Sequence, residues 1–136
     1  MKKLLIIALL VVGCEEDTPT ESSVHPLVGV WEGIEHSETY LSQTTTVEHN
    51  ENTYVNIMFG EDGIIYSVIA TSIEITAKSG TWSATGNKLT IIYTYIEDDN
   101  TEIYNYSISG KILTMHQEII IDGEPWVYEV KLQNTN

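Results

Sequence analysis

Arginine is absent from the 136 residues, and the six lysines face 20 acidic residues, for a formal net charge of −14. A chain so poor in cations repels phosphate-rich partners, which excludes binding to nucleic acid. Cysteine occurs once, at Cys14, so neither a disulfide framework nor a cysteine-based zinc cluster can form. Nor does any apolar run reach the about 20 residues that a membrane-spanning helix needs. His25, His36, His49 and His116 are the only imidazoles, and none lies in a His-x-His or His-Glu-x-x-His spacing. No metal or other cofactor is therefore expected. In a strand the neighbours Glu35 and His36, and likewise Glu48 and His49, point to opposite faces, and His116 falls on the face of Thr114 and Glu118, outside. The run Glu97-Asp98-Asp99-Asn100 lacks the alternating ligands and glycine of a calcium loop and reads as a solvated hairpin tip. With no Gly-x-Ser-x-Gly, no phosphate-cradling glycine loop and no base beside a nucleophile, an enzyme is not expected.

What is present begins with a targeting pattern. Met1, Lys2 and Lys3 give a positive start, and Leu4 to Val12 an apolar run closed by Gly13 and Cys14. This is the arrangement of a cleavable secretory signal over residues 1–13. Val11-Val12-Gly13-Cys14 resembles the lipobox of bacterial lipoproteins, in which cleavage precedes the cysteine and lipid is attached to it. That resemblance implies a lipid on Cys14 and a membrane as partner, in the cell envelope and most simply at the outer membrane, facing the periplasm or the surface. Residues 14–24 are acidic, rich in Ser and Thr and without apolar periodicity, the composition of a solvated tether.

Residues 25–136 make one domain. No stretch has helical apolar spacing, whereas β-branched and Tyr-rich runs bounded by Gly, Asn and Asp recur throughout. The pattern predicts strands near 27–36, 44–49, 53–59, 64–70, 72–84, 88–97, 101–109, 111–121 and 125–133, two of the early ones forming one interrupted strand. The joints Glu61-Asp62-Gly63, Thr85-Gly86-Asn87, Ser109-Gly110-Lys111 and Ile121-Asp122-Gly123 carry hairpin chemistry, so neighbours in sequence should pair antiparallel. About eight such strands remove their exposed edges by closing. The expected fold is an all-β, antiparallel up-and-down barrel, with an open sandwich as the alternative.

Alternation assigns side chains to faces. Leu89, Ile91, Tyr93 and Tyr95 should point inward, as should Tyr104, Tyr106 and Ile108 on the next strand, so that four phenol rings meet on one wall. Leu113, Met115 and Ile119 share a face, as do Trp126, Tyr128, Val130 and Leu132, with Lys131 outward. A barrel of eight strands is filled by side chains or holds one small ligand. Buried phenols require hydrogen-bond partners, so tyrosines on an inner wall fit either rings that pack the barrel with their hydroxyls at its rim, or a ligand cavity.

Pro26-Leu27-Val28-Gly29-Val30-Trp31 opens the domain with Leu-x-Gly-x-Trp, Gly80-Thr81-Trp82 is followed by Gly86-Asn87-Lys88-Leu89-Thr90, and residues 106–114 form a similar unit. In this order the motifs resemble bacterial lipocalin-like lipoproteins. The resemblance implies a lipocalin-like barrel in which Trp31 packs over the closed end; no arginine is available to cover it, and Lys131 is the candidate substitute. The leading expectation is a lipid-anchored envelope protein that binds a small, partly apolar ligand without catalysis, through Tyr93, Tyr95, Tyr104, Tyr106, Trp126 and Tyr128. The alternative is a structural or interaction module with a packed barrel, whose acidic surface meets a basic protein partner of unknown identity.

Overall fold

The computed structural model describes residues 24–94 and 101–135, and every regular element in them is a strand. The expected signal over 1–13, Cys14, most of the tether, Tyr95 and the 97–100 tip lie outside the described residues. In chain order the strands are β1 (Gly29–Tyr40), β2 (Gln43–Glu48), β3 (Tyr54–Phe59), β4 (Ile64–Ala70), β5 (Ile75–Thr85), β6 (Lys88–Tyr93), β7 (Thr101–Ser109), β8 (Ile112–Ile121) and β9 (Glu124–Asn134). From β3 to β9 each pairs antiparallel with the next, and β9 returns to pair with β1 from Trp31 to Tyr40. The sheet is thereby a closed barrel. β2 and β3 lie end to end along the other edge of β1, β2 opposite Glu35 to Tyr40 and β3 opposite Gly29 to Glu32, so together they serve as one interrupted strand and the closure is eight-stranded.

β1 is longer than the expected 27–36. Its polar continuation Ser37-Glu38-Thr39-Tyr40 carries no apolar signal, yet β2 and β9 flank it and satisfy its backbone. It ends in a two-residue hairpin at Leu41 (φ 53°) and Ser42 (φ 64°), a left-handed pair built without glycine or asparagine. At the β8–β9 turn the same geometry falls on Asp122 (φ 52°) and Gly123 (φ 80°), residues suited to it. A bulge between Gly33 and Glu35 adds one residue to β1 and inverts its alternation. Trp31 and Gly33 face inward below the bulge; His36, Glu38 and Tyr40 face inward above it, opposite Val130, Tyr128 and Trp126.

One end of the barrel is plugged. A turn closed by the Val28 amide donating to the His25 carbonyl (2.9 Å) carries Leu27 beneath the strands, where it is fully buried. Trp31 lies against it with 1% exposure, its indole Nε1 donating to the Leu27 carbonyl at 2.8 Å. The first-strand tryptophan thus closes this end as the resemblance implied. Lys131 does not cover it: between the buried Val130 and Leu132, it faces outward opposite Thr114 and Glu35. The Leu27 carbonyl takes the indole proton instead, and the surrounding cover is apolar. Phe59 and Trp82 meet edge to face at 5.3 Å, and Trp82 Nε1 donates to the Gly60 carbonyl at 2.9 Å. Burying Leu27, Trp31 and Phe59 contributes about 1.5–3 kcal/mol each.

Candidate functional site

Above the plug the interior is not filled. A cavity of about 270 Å³ opens toward the end that carries the β1–β2 and β8–β9 turns. Its inner part is apolar, formed by Val55, Ile57, Met115 and Val130. Nearer the opening, Tyr93, Tyr104, Trp126 and Tyr128 line the wall together with Glu38, Lys78, Glu102 and Gln117. Period-2 alternation places each of these strand residues inward.

The structure brings four of the six expected aromatic residues, Tyr93, Tyr104, Trp126 and Tyr128, to this cavity; Tyr95 is outside the described residues. Tyr106 is a correction. It faces inward, but the β6–β7 register sets Leu89 opposite Tyr104 and Ile92 opposite Thr101, so Tyr106 passes the start of β6 and reaches the plugged end. There its hydroxyl donates to the Gly86 carbonyl at 3.1 Å, and its ring approaches His25 (centroids 6.4 Å apart). The expected wall of four adjacent phenols therefore does not form: the rings divide between plug and cavity because the two strands are offset along the barrel axis.

Two of the phenols that line the cavity, Tyr93 and Tyr104, are hydrogen-bonded within it. Tyr93 and the buried Ser67 share a hydrogen bond at 3.3 Å, and the Tyr104 hydroxyl donates to Glu102 Oε1 at 2.7 Å. Burial, with the Glu102 carboxylate next in weight, holds the Tyr104 phenol far above its ordinary range. Burial also pushes Tyr128 up to about 12, aided by the charges of Glu38 and Glu102. Both phenols stay neutral at physiological pH, the Tyr104 proton being already donated to Glu102. Trp126 stacks on Tyr128 (5.6 Å, 12°) and donates through Nε1 to Glu38 Oε1 at 3.2 Å. The Lys78 ammonium stands 4.8 Å from the centre of the Tyr93 ring, over its face.

Sequence reading missed the charged members. Lys78 alternates with Gly80 and Trp82, and Glu102 with Tyr104, so extending the period along those strands finds both. Glu38 was hidden by the bulge. The same inversion turns His36 inward, where its Nδ1 and His49 Nε2 are hydrogen-bonded at 2.8 Å, a pairing across the β1–β2 hairpin that neighbour spacing conceals. Burial lowers the pKa of His49 and His36 opposes its protonation. The Gly33 backbone lies against the His49 ring, yet no hydrogen bond of ordinary geometry reaches the buried His49 Nδ1. His116 is outward as expected, 3.7 Å from Glu129. Among the described residues, no group of three His, Cys, Asp or Glu side chains could hold a metal ion.

Residues 27–115 match the family model of the lipocalin-like domain. The chain belongs to that family. The matched stretch runs from Leu27 in the plug to Met115 in the cavity wall, so the lipocalin-like part includes both ends of the barrel. A solved structure of an uncharacterized protein from Bacteroides eggerthii DSM 20697 is similar at 9% identity, over 76% of this chain and 98% of that one, with a TM-score of 0.49. No curated protein matches. A lipocalin-like barrel with an open, partly apolar interior suggests ligand binding.

Proposed function

We propose that this lipocalin-like domain is carried by a lipid-anchored protein of the bacterial cell envelope and binds a small, partly apolar molecule by sequestration or delivery, without covalent chemistry. The observation that carries the reading is the 270 Å³ cavity at one end of a barrel whose other end is plugged. A packed structural barrel would leave no void larger than a water or two, and a water takes about 30 Å³. The cavity combines apolar depth with tyrosines at its wall, the composition of a site that shelters a hydrocarbon part and orients a polar one. Anchoring rests on the basic start, apolar run and Gly13-Cys14, with lipid attached at Cys14 and residues 15–24 as tether.

Native mass spectrometry of the protein extracted from its own envelope tests both parts. The expected result is a retained small molecule together with a mass increment on Cys14 that Cys14→Ala abolishes. A protein of unmodified mass contradicts the anchor. An empty barrel that also fails to respond to any apolar probe contradicts the binding role.

A further inference from the structure

The charges in the cavity narrow the class of guest. Two carboxyl side chains and one amine line it: Glu38 on β1, Glu102 on β7 and Lys78 on β5. Each carboxylate takes one hydrogen bond from the wall, Glu38 from the Trp126 indole and Glu102 from the Tyr104 hydroxyl. A carboxylate offers about four acceptor sites, so most of each remains for a guest. Among the described residues, no lysine or histidine nitrogen lies within 4 Å of either cavity carboxylate, although Lys78 lines the same cavity. Glu38 is tied to Trp126, which stacks on Tyr128, and Glu102 to Tyr104, all of them in the lining of the one cavity.

The aromatic faces agree with the carboxylates. A cation is attracted to the face of an aromatic ring, most strongly where water is excluded. Lys78 already shows this wall accepting an ammonium, over Tyr93. Because Lys78 occupies that face, and Tyr128 is flanked by the Trp126 ring (5.6 Å) and the His36 ring (5.8 Å), the far face of Trp126, beside Glu38, is left for a second cation. An anionic guest would meet two carboxylates against the one Lys78 ammonium, and the field of a chain with net charge −14, which draws a cationic guest in.

We infer that the guest is a small organic ammonium ion with an apolar substituent, its charge held by Glu38 and Glu102 against Trp126, its apolar part directed to Ile57, Met115 and Val130. The inference rests on the proposed binding role of the cavity and adds the sign of the ligand charge.

Three probes with one chain length separate the two ideas: decyltrimethylammonium, decanoate and decanol, each below its micelle concentration, titrated into the full mature chain by calorimetry. The ammonium is expected to bind about tenfold or more tighter than either other probe, with affinity falling as salt is added. In Glu38→Gln/Glu102→Gln the ammonium's advantage over decanol should collapse at least about tenfold, with thermal denaturation used to verify that the variant is folded. Lys78→Met should raise ammonium affinity, because a competing cation is removed. Decanoate or decanol binding as tightly as the ammonium overturns the charge assignment and leaves the cavity reading standing. Ammonium binding that ignores the double substitution is attraction to the acidic exterior and also overturns it. No binding of any probe removes both.

Discussion

The two ends of this barrel use aromatic residues in opposite ways. At the plugged end Trp31 and Trp82 give their indole protons to the backbone carbonyls of Leu27 and Gly60, and the Tyr106 hydroxyl goes to that of Gly86. Each polar tip is satisfied by main chain, so the rings add apolar area without leaving anything for a ligand to recognise. At the open end the partners of Trp126 and Tyr104 are carboxylates, which retain acceptor capacity and charge. One set of rings closes the fold; the other forms a wall with unspent polarity. Burial of a ring therefore does not reveal its role, whereas the partner of its polar atom does.

Breaking the plug should have the largest effect. Trp31→Ala removes a ring that is 1% exposed and is expected to cost about 3–5 kcal/mol in urea denaturation, whereas Trp126→Ala at the mouth should stay within about 1 kcal/mol and weaken guest binding. Equal losses at both sites would erase the distinction between the ends. Next comes Gly33, at the bulge that turns Glu38 inward. A Cβ there would meet the Val55 carbonyl oxygen at 2.5 Å and the His49 ring closer still, so Gly33→Ala should cost about 1–3 kcal/mol and reduce binding as well, because the inverted alternation of β1 depends on that site. A smaller, opposite change is expected at the rim. Replacing Leu41-Ser42 by Asn-Gly relieves two left-handed residues and should raise the denaturation midpoint by about 1 kcal/mol of stability.

The smallest effect is pH dependence through His49. Its pKa is lowered by burial below the ordinary 6.5, so the folded state binds fewer protons than the unfolded one. The stability it contributes is fully present above pH 6.5 and is lost as pH falls through the lowered value. His49→Gln should flatten the stability profile in that window, measured by thermal denaturation between pH 7.5 and 5.

Much of this architecture was legible from alternation and turn chemistry. Inward Leu89, Ile91, Tyr93, Tyr104, Leu113 and Met115 follow from period two, and the joint at Asp122-Gly123 follows from residues that tolerate positive φ. Three features escaped for physical reasons. The turn at Leu41-Ser42 carries no residue that prefers its conformation, so nothing in the sequence marks where the strand before it ends. The bulge after Gly33 inverts a parity that simple counting carries forward, which hid Glu38 and the His36–His49 pair. The offset of β7 against β6 is a long-range register that no local motif encodes, and it moved Tyr106 from the expected site to the plug. Lys78 and Glu102 obey the same alternation, but a charged side chain inside a barrel runs against the usual preference.

A guest that enters at one end only is reported by the three tryptophans without any labelling at the site. Trp31 and Trp82 stand in the plug and Trp126 at the mouth, so their indole N–H resonances can be followed together by NMR during titration with decyltrimethylammonium. The Trp126 signal is expected to move and saturate while those of Trp31 and Trp82 stay in place. Movement of Trp31 or Trp82 with Trp126 unchanged, or no movement in any of the three, would contradict it.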